Sequence, residues 1–281
     1  MDGYAVSSDL THQEYCAFRD FLEQACGIVL GENKQYLVNS RLRFLLGELG
    51  IKSVGELLVM VDRPSSAQLR QRIIDAMTTH ETLWFRDQYP FEALKRMILP
   101  GLVRSNIATL RIWSAACASG QEPYSISMIC EEYRREYPSR ALGAVQILAT
   151  DISPTILQMA REGVYDNIAL TRGLTQDRRE RFFTEENDKA KIKPEVMRQV
   201  IFRELNLMQS FKSLGKFHVI FCRNVMIYFS DQLKADILNR MADVLEPNGY
   251  LFLGGSESIT RYCDRFEVSR AHGGMVFRLK S

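Results

Sequence analysis

Residues 110–136 read LRIWSAACASGQEPYSISMICEEYRRE, and this stretch decides the fold. The opening LRIWSA (110–115) is an apolar strand of the kind found inside a parallel sheet. Glu122-Pro123 open the helix PYSISMICEEYRRE, with proline in the first turn, where its missing N–H costs nothing. Between them lies SAACASGQEP (114–123), a run of small residues and one glycine. Small side chains let a ligand approach the backbone closely. A strand that feeds a helix through such a loop is the start of a βα unit.

The same grammar repeats outward. VQILATD (145–151) is a second strand, and Ser153-Pro154 start another helix. FHVIFCRN (217–224) is a third strand, after which Ser230 caps the long helix DQLKADILNRMADVL. Asn248-Gly249 turn into the strand YLFLGG, and FEVSRAHGGMVFRLK reads as two strands joined across Gly273-Gly274. Before the first strand, Pro90 begins the helix FEALKRMIL, and Pro100-Gly101 are expected to stop it. Alternating βα units imply a mostly parallel sheet with helices on both faces, plus a final hairpin adding antiparallel strands at one edge. FFTEENDKAKIKPEVMRQVIFRE (182–204) interrupts the alternation. It reads either as a small β excursion over about 182–205, inserted before Asn206, or as a long solvated loop.

Upstream the grammar is helical only. Thr11 caps a helix from His12 to about Cys26, with Tyr15, Phe18, Phe21, Leu22 and Cys26 on one stripe. A second helix runs from about Asn33 to Leu46 and stops near Gly47–Gly50. Ser53 and Ser66 cap two more, with Pro64 breaking between them. The chain of 281 residues therefore divides into a helical domain, 1–85, and an α/β domain, 86–281. That agrees with roughly 150 residues per domain.

Composition narrows the classes. Hydrophobic residues make up 46% and charged residues 25%, an ordinary globular balance. No apolar run approaches the ~20 residues that span a bilayer, and the polar, acidic MDGYAVSSDLTHQEY is no signal peptide. The six cysteines (16, 26, 117, 130, 222, 263) lack CxxC or Cys/His ligand spacing, so neither a metal site nor a disulfide framework is expected. A cytoplasmic protein fits best. Net charge is +2, with −3 on residues 1–90 (9 basic, 12 acidic) and +5 on 91–281 (27 and 22). Neither part is basic enough to bind nucleic acid by bulk charge.

Ligands of open α/β sheets bind beyond the carboxyl ends of the strands. Those ends carry the small-residue loop with Glu122, then Asp151, then Arg223-Asn224, then Gly254-Gly255-Ser256-Glu257. Asp151 fits two roles, an acceptor for both ribose hydroxyls or a cap for the helix at 154. Glu122 is either a ligand contact or a favourable first-turn acid. GxGxxG and GxxxxGK[ST] are both absent. A carboxylate at the helix start repels phosphate and suits an ammonium or hydroxyls. The pattern therefore favours a phosphate-free, cationic nucleoside such as S-adenosylmethionine over a dinucleotide.

MTTHETLWFRD (77–87), RIWSAACASGQEPYSIS (111–127), LATDIS (148–153) and FCRNVMIYF (221–229) closely resemble the bacterial chemotaxis receptor glutamate methyltransferases. GSES (255–258) fits as well, and the resemblance spans nearly the whole chain. It implies a class I S-adenosylmethionine-dependent methyltransferase fold, Rossmann-like with a mixed seven-stranded sheet, an all-helical N-terminal domain and a small inserted β subdomain. It further implies methyl transfer to glutamate carboxylates on the cytoplasmic helical bundle of chemoreceptors, giving methyl esters and S-adenosylhomocysteine. By the same resemblance His80, Thr82, Arg86, Glu122, Asp151, Asn206, Leu207, Arg223 and Asn224 contact the cofactor. Arg86 and Tyr228 lie beside the transferred methyl. A carboxylate is already ionised at neutral pH, so the reaction needs no general base.

Three departures accompany the resemblance. His80 stands where the family usually has Asn. The helix around 33–46, which the resemblance makes the receptor-docking element, carries only Arg41 and Arg43, with Lys34 at its start. The inserted segment lacks the glycine-containing hairpin turn of members that grip a receptor's C-terminal pentapeptide, so the chain is expected to work without that tether. Two rival classes stand beside this reading. One is a methyltransferase acting on another protein, a small molecule or a nucleic acid. The Asn/Asp-Pro-Pro-aromatic motif of nucleic-acid enzymes is replaced here by CysArgAsnValMet. The other is a non-catalytic S-adenosylmethionine-binding sensor or scaffold, which would have no need of Arg86 and Tyr228.

Overall fold

A computed structural model describes residues 10–140 and 142–280. By compactness the chain forms two units. Among the described residues, one holds those up to Thr79 together with Tyr228–Leu233, and the other holds those of His80–Ile227 and from Lys234 onward. The division falls at Thr79/His80, several residues before the expected 85. The return of 228–233 to the helical unit has no sequence signal.

The helical unit contains α1 (His12–Cys26), α2 (Gln35–Leu49), α3 (Val54–Val61) and α4 (Ala67–Met77). Thr11 and Glu14 form a reciprocal capping box at the start of α1. Tyr15, Phe18, Leu22 and Cys26 of the expected stripe are buried, and Phe21 is half-buried. α2 runs past Gly47 and ends at Gly50, whose φ of 67° suits the left-handed residue that stops a helix. Ser53 caps α3 through Glu56 N–H, as expected. Ser66 does not cap α4, because its hydroxyl instead donates back to the Val61 carbonyl.

The second unit is built on a seven-stranded sheet whose strands lie in the order β6 (Val200–Glu204), β2 (Ala144–Asp151), β1 (Thr109–Ala115), β7 (Phe217–Cys222), β8 (Leu245–Phe252), β10 (Gly274–Leu279), β9 (Phe266–Ala271). The chain enters it through α5 (Tyr89–Ala93), a π turn (Leu94–Ile98) and α6 (Leu99–Arg104). Pro100-Gly101 do not stop this helix. The π turn resets the hydrogen bonding, and Pro100 falls in the first turn of α6, where no N–H is required. Then follow β1 (Thr109–Ala115), α7 (Gln121–Glu136), β2 (Ala144–Asp151) and α8 (Pro154–Glu162). β1 pairs in parallel with both β2 and β7, and its Leu110, Ile112 and Trp113 are fully buried. The core around it includes Phe91, Tyr124, Ile147, Phe221 and Phe252.

After α8 come β3 (Val164–Asp166), α9 (Asn167–Thr171), α10 (Gln176–Phe182), β4 (Phe183–Glu186), β5 (Lys189–Ile192), α11 (Pro194–Met197) and β6 (Val200–Glu204). The expected β excursion exists, but its bounds differ. β3, β5 and β4 form a separate three-stranded sheet that starts at Val164. Val200–Glu204 belongs to the main sheet, parallel to β2 at its edge. The apolar character of the ValIlePhe segment was legible, but the sheet it joins is set by pairing partners distant in sequence.

The chain finishes with β7 (Phe217–Cys222), α12 (Asp231–Asp243), β8 (Leu245–Phe252), β9 (Phe266–Ala271) and β10 (Gly274–Leu279). β7 and β8 are parallel, while β10 is antiparallel to both β8 and β9. Asn248-Gly249 lie inside β8, where the register against β7 slips, and do not form the turn before it. The closing hairpin turns on His272-Gly273, both at positive φ, with Gly274 already in the strand. Among the described residues no helix is long and apolar enough to cross a membrane.

Candidate functional site

Glu122 stands in the first turn of α7, directly after the small-residue loop that leaves β1. The Ser114 hydroxyl donates to its Oε1 at 2.7 Å and Arg223 Nη1 donates to its Oε2 at 3.0 Å. Arg223 leaves the end of β7, and its side chain is only 1% exposed. Its other terminal nitrogen donates to the Arg86 carbonyl at 2.8 Å and to Asp87 Oδ2 at 2.6 Å. One guanidinium thus ties the ends of β1 and β7 to the 80–88 segment, in the forked geometry that suits arginine to such a junction. Burial pushes the Glu122 carboxyl above the usual carboxylate range, against the pull of Arg223 and Ser114.

Asp151 ends β2 and is buried. It does not cap α8, since Ser153 does that through Ile156 N–H. Asp151 Oδ2 accepts from Ala118 N–H at 2.9 Å and Oδ1 from Ser153 N–H at 3.1 Å. His80 Nε2 lies 4.0 Å from Oδ1. Burial raises the Asp151 carboxyl, opposed by the Ser153 and Ala118 amides and by His80. Asn206 and Leu207 are brought alongside because Leu205 N–H donates to the Asp151 carbonyl at 2.9 Å. Asn206 is half-buried and Leu207 buried, and Arg240 holds the Leu207 carbonyl at 2.8 Å.

The fold therefore gathers His80, Glu122, Asp151, Asn206, Leu207, Arg223 and Asn224 at the carboxyl ends of β1, β2 and β7. Arg86 joins them through its carbonyl on Arg223, and its charge lowers the Glu122 pKa. The Arg86 guanidinium reaches the Glu81 carbonyl at 3.3 Å. Thr82 is half-buried and lies between His80 and Arg86 in the chain. Tyr228 belongs to the helical unit, where its carbonyl accepts from Val29 N–H at 2.8 Å.

Sequence reasoning missed Asp87 and Ser114 as anchors, although both lie in quoted motifs, because their roles depend on where Arg223 and Glu122 arrive. The backbone here is strained. Phe85, Asp87, Gln88, Ala116, Ala118 and Asn224 all have φ between 48° and 66°. Each such residue costs on the order of 1–3 kcal/mol, and clusters of them mark functional loops. The strain is held by fixed partners, such as Phe85 N–H on the Ser125 hydroxyl at 3.2 Å and Trp84 N–H on the Arg172 carbonyl at 3.1 Å.

The donor set fits S-adenosylmethionine. Two buried carboxylates, each retaining acceptor capacity, suit an ammonium and ribose hydroxyls and oppose a phosphate.

In the helical unit Arg41 is half-buried, and its guanidinium donates to the carbonyls of Met77 and Thr78 and, at 2.7 Å, to the Thr79 hydroxyl. It satisfies the carbonyls left over at the end of α4. Arg43 is exposed.

Known proteins match this arrangement along the chain. The family model described as CheR methyltransferase, SAM binding domain, matches residues 80–275, and that described as CheR methyltransferase, all-alpha domain, matches 13–78. The chain is 49% identical over 265 residues to chemotaxis protein methyltransferase Cher2 of Pseudomonas putida, covering 94% of this chain and 96% of that one. It is 50% identical over 272 residues to the chemotaxis protein methyltransferase of Vibrio parahaemolyticus, covering 96% and 98%. Matched in both its helical and its α/β parts, the chain belongs to the CheR methyltransferase family and is an S-adenosylmethionine-dependent methyltransferase of chemotaxis.

Proposed function

We propose that this protein methylates glutamate side-chain carboxylates on the cytoplasmic helical bundle of chemoreceptors, and that it acts in the cytoplasm. The observation that carries the reading is the match of both parts of the chain to chemotaxis protein methyltransferases, and the buried carboxylates Glu122 and Asp151 support its cofactor side. Burial without enough positive charge disfavours their ionised forms, so a cationic, phosphate-free nucleoside is the ligand that relieves them.

His80, Thr82, Arg86, Glu122, Asp151, Asn206, Leu207, Arg223 and Asn224 hold the cofactor in this reading. When bound, S-adenosylmethionine supplies an electrophilic methyl group on a sulfonium. Arg86 and Tyr228 act beside that methyl. Arg86 orients the acceptor carboxylate through charge-assisted hydrogen bonds, and Tyr228 contributes its hydroxyl and ring face. The acceptor arrives ionised, so the protein's work is positioning and exclusion of water.

Docking is assigned to α2. With Arg41 committed to the end of α4, Arg43 is left as its cation for an acidic receptor surface, beside the exposed Tyr36 and Phe44. The β4–β5 hairpin turns on Asn187-Asp188 without glycine, which supports work on receptors that lack a C-terminal pentapeptide.

The deciding experiment incubates the protein with methyl-labelled S-adenosylmethionine and receptor-containing membranes. Base-labile label on the receptor is expected, since carboxyl methyl esters hydrolyse in base. Base-stable label, or none, overturns the reading.

A further inference from the structure

The motif GSES (255–258) contributes a glutamate that holds the backbone of Asn224. Glu257 is buried, and its Oε2 accepts two backbone N–H groups, from Asn224 at 2.8 Å and from Gly254 at 2.6 Å. Those amides follow the ends of neighbouring parallel strands, β7 and β8. A single carboxylate oxygen therefore fixes the spacing of two loops at the carboxyl edge of the sheet.

Asn224 needs such a hold. Its φ of 60° is a left-handed conformation that a side-chain-bearing residue adopts at a cost. It directly follows Arg223, whose guanidinium must reach Glu122, the Arg86 carbonyl and Asp87 together. Gly254 completes the fit. A Cβ there would stand 2.6 Å from Asn224 Nδ2 and 2.8 Å from Glu257 Oε2. The three residues are packed so that the carboxylate, the glycine and the strained Asn224 backbone each require the other two. Charged hydrogen bonds of this kind are strong, and buried amides without an acceptor are costly.

We propose that Glu257 is a positioning residue for cofactor binding. It holds Asn224, and through it Arg223, in the conformation that shapes the cofactor wall. The inference rests on the assignment of Asn224 and Arg223 to the cofactor site. Glu257 also lines a surface hollow of about 210 Å³ with Met226, Ile227, Lys234, Arg261 and Tyr262. Truncation therefore opens onto that hollow and not into a sealed core, which favours a folded variant.

The test measures the Kd of S-adenosylhomocysteine by calorimetry, the melting temperature, and the KM values for S-adenosylmethionine and for receptor. Glu257→Gln keeps an acceptor oxygen at the same reach and is expected to stay within about threefold of the parent. Glu257→Asp keeps the charge but falls one methylene short. It is expected to weaken binding about tenfold, as do Glu257→Ala and Gly254→Ala, with receptor KM unchanged and a lowered melting temperature from the unpaired or crowded amides. If Glu257→Ala does not fold, the Asp and Gln variants decide alone. Parental affinity in Glu257→Asp overturns the proposal, and so does a Gln variant as weak as the Asp variant. Failure of the parent protein itself to bind S-adenosylhomocysteine overturns the cofactor assignment instead.

Discussion

Arg223 Nη1 donates to Glu122 Oε2 at 3.0 Å while Arg223 Nη2 donates to Asp87 Oδ2 at 2.6 Å, so one buried guanidinium serves two carboxylates from opposite ends of its fork. The chain brings them together from positions 87, 122 and 223. The site's shape depends on this junction more than on any single loop.

Glu122→Gln removes the charge from one side of that junction. Arg223 keeps Asp87 and burial already favours the neutral form of Glu122, so the fold is expected to survive with stability little changed at neutral pH, unlike the about 3–5 kcal/mol lost when a buried charge is left with no partner. Affinity for S-adenosylmethionine is expected to fall about tenfold or more, since a charge-assisted contact is worth about 1.5–3 kcal/mol. Calorimetric titration and thermal melts read the two effects separately.

The pH dependence has a defined sign. Glu122 and Asp151 both have raised carboxyl pKa values, so the folded protein holds their protons more tightly than the unfolded chain. Their contribution to stability is full below the unfolded carboxylate range and is lost as pH rises through the raised values. A cationic ligand favours the ionised forms, so cofactor affinity is expected to rise with pH over that same window. Binding should release protons. Titrations in buffers of different ionisation enthalpy measure the release, which Glu122→Gln should reduce.

Glu132 has the opposite sign. Burial raises its pKa, but Arg178 at 2.7 Å and Lys95 at 2.9 Å outweigh burial, and the net shift is downward. Its contribution is present above the unfolded carboxylate value and is lost as pH falls through the folded one. Glu132→Ala is expected to cost about 3 kcal/mol, the lower end for breaking a buried ion pair, because Lys95 keeps Glu136. Chemical denaturation at neutral and acidic pH checks both the size and its disappearance in acid.

Arg41 and Arg43 are expected to separate. Arg41→Ala should destabilise the helical unit by about 1–2 kcal/mol through lost hydrogen bonds to the end of α4. Arg43→Glu should leave the melt unchanged and raise the receptor KM without altering cofactor affinity. Equal methylation rates for Arg43→Glu and the parent at subsaturating receptor would remove α2 charge from docking.

Arg86→Ala is expected to lose methyl transfer and to bind the cofactor more weakly. A radiolabelled methyl assay with calorimetry separates the two losses. Unaltered turnover would remove Arg86 from the mechanism.

Where each element begins was largely legible in the chain. Thr11, Ser53 and Ser153 mark helix starts because a cap acts on amides two or three residues away. The strands LRIWSA, VQILATD and FHVIFC could be read because a buried strand must be apolar throughout. The carboxyl ends of those strands then pointed to Glu122, Asp151 and Arg223. Pro100 misled because one π turn shifted it into the first turn of a new helical segment, a local change that composition does not record.

What the sequence determined by itself was whatever depends on neighbours within a few residues: the strands, most caps, the change from helical to alternating grammar, and the motifs that carry the family. Tertiary structure decided whatever depends on meetings across the chain. It placed Val200–Glu204 in the main sheet, turned Arg41 onto α4, returned Tyr228 to the helical unit and set Glu257 against Asn224. A side chain's partner is chosen by which backbone groups the fold leaves unsatisfied nearby, and those groups exist as neighbours only once the sheet and helices have packed.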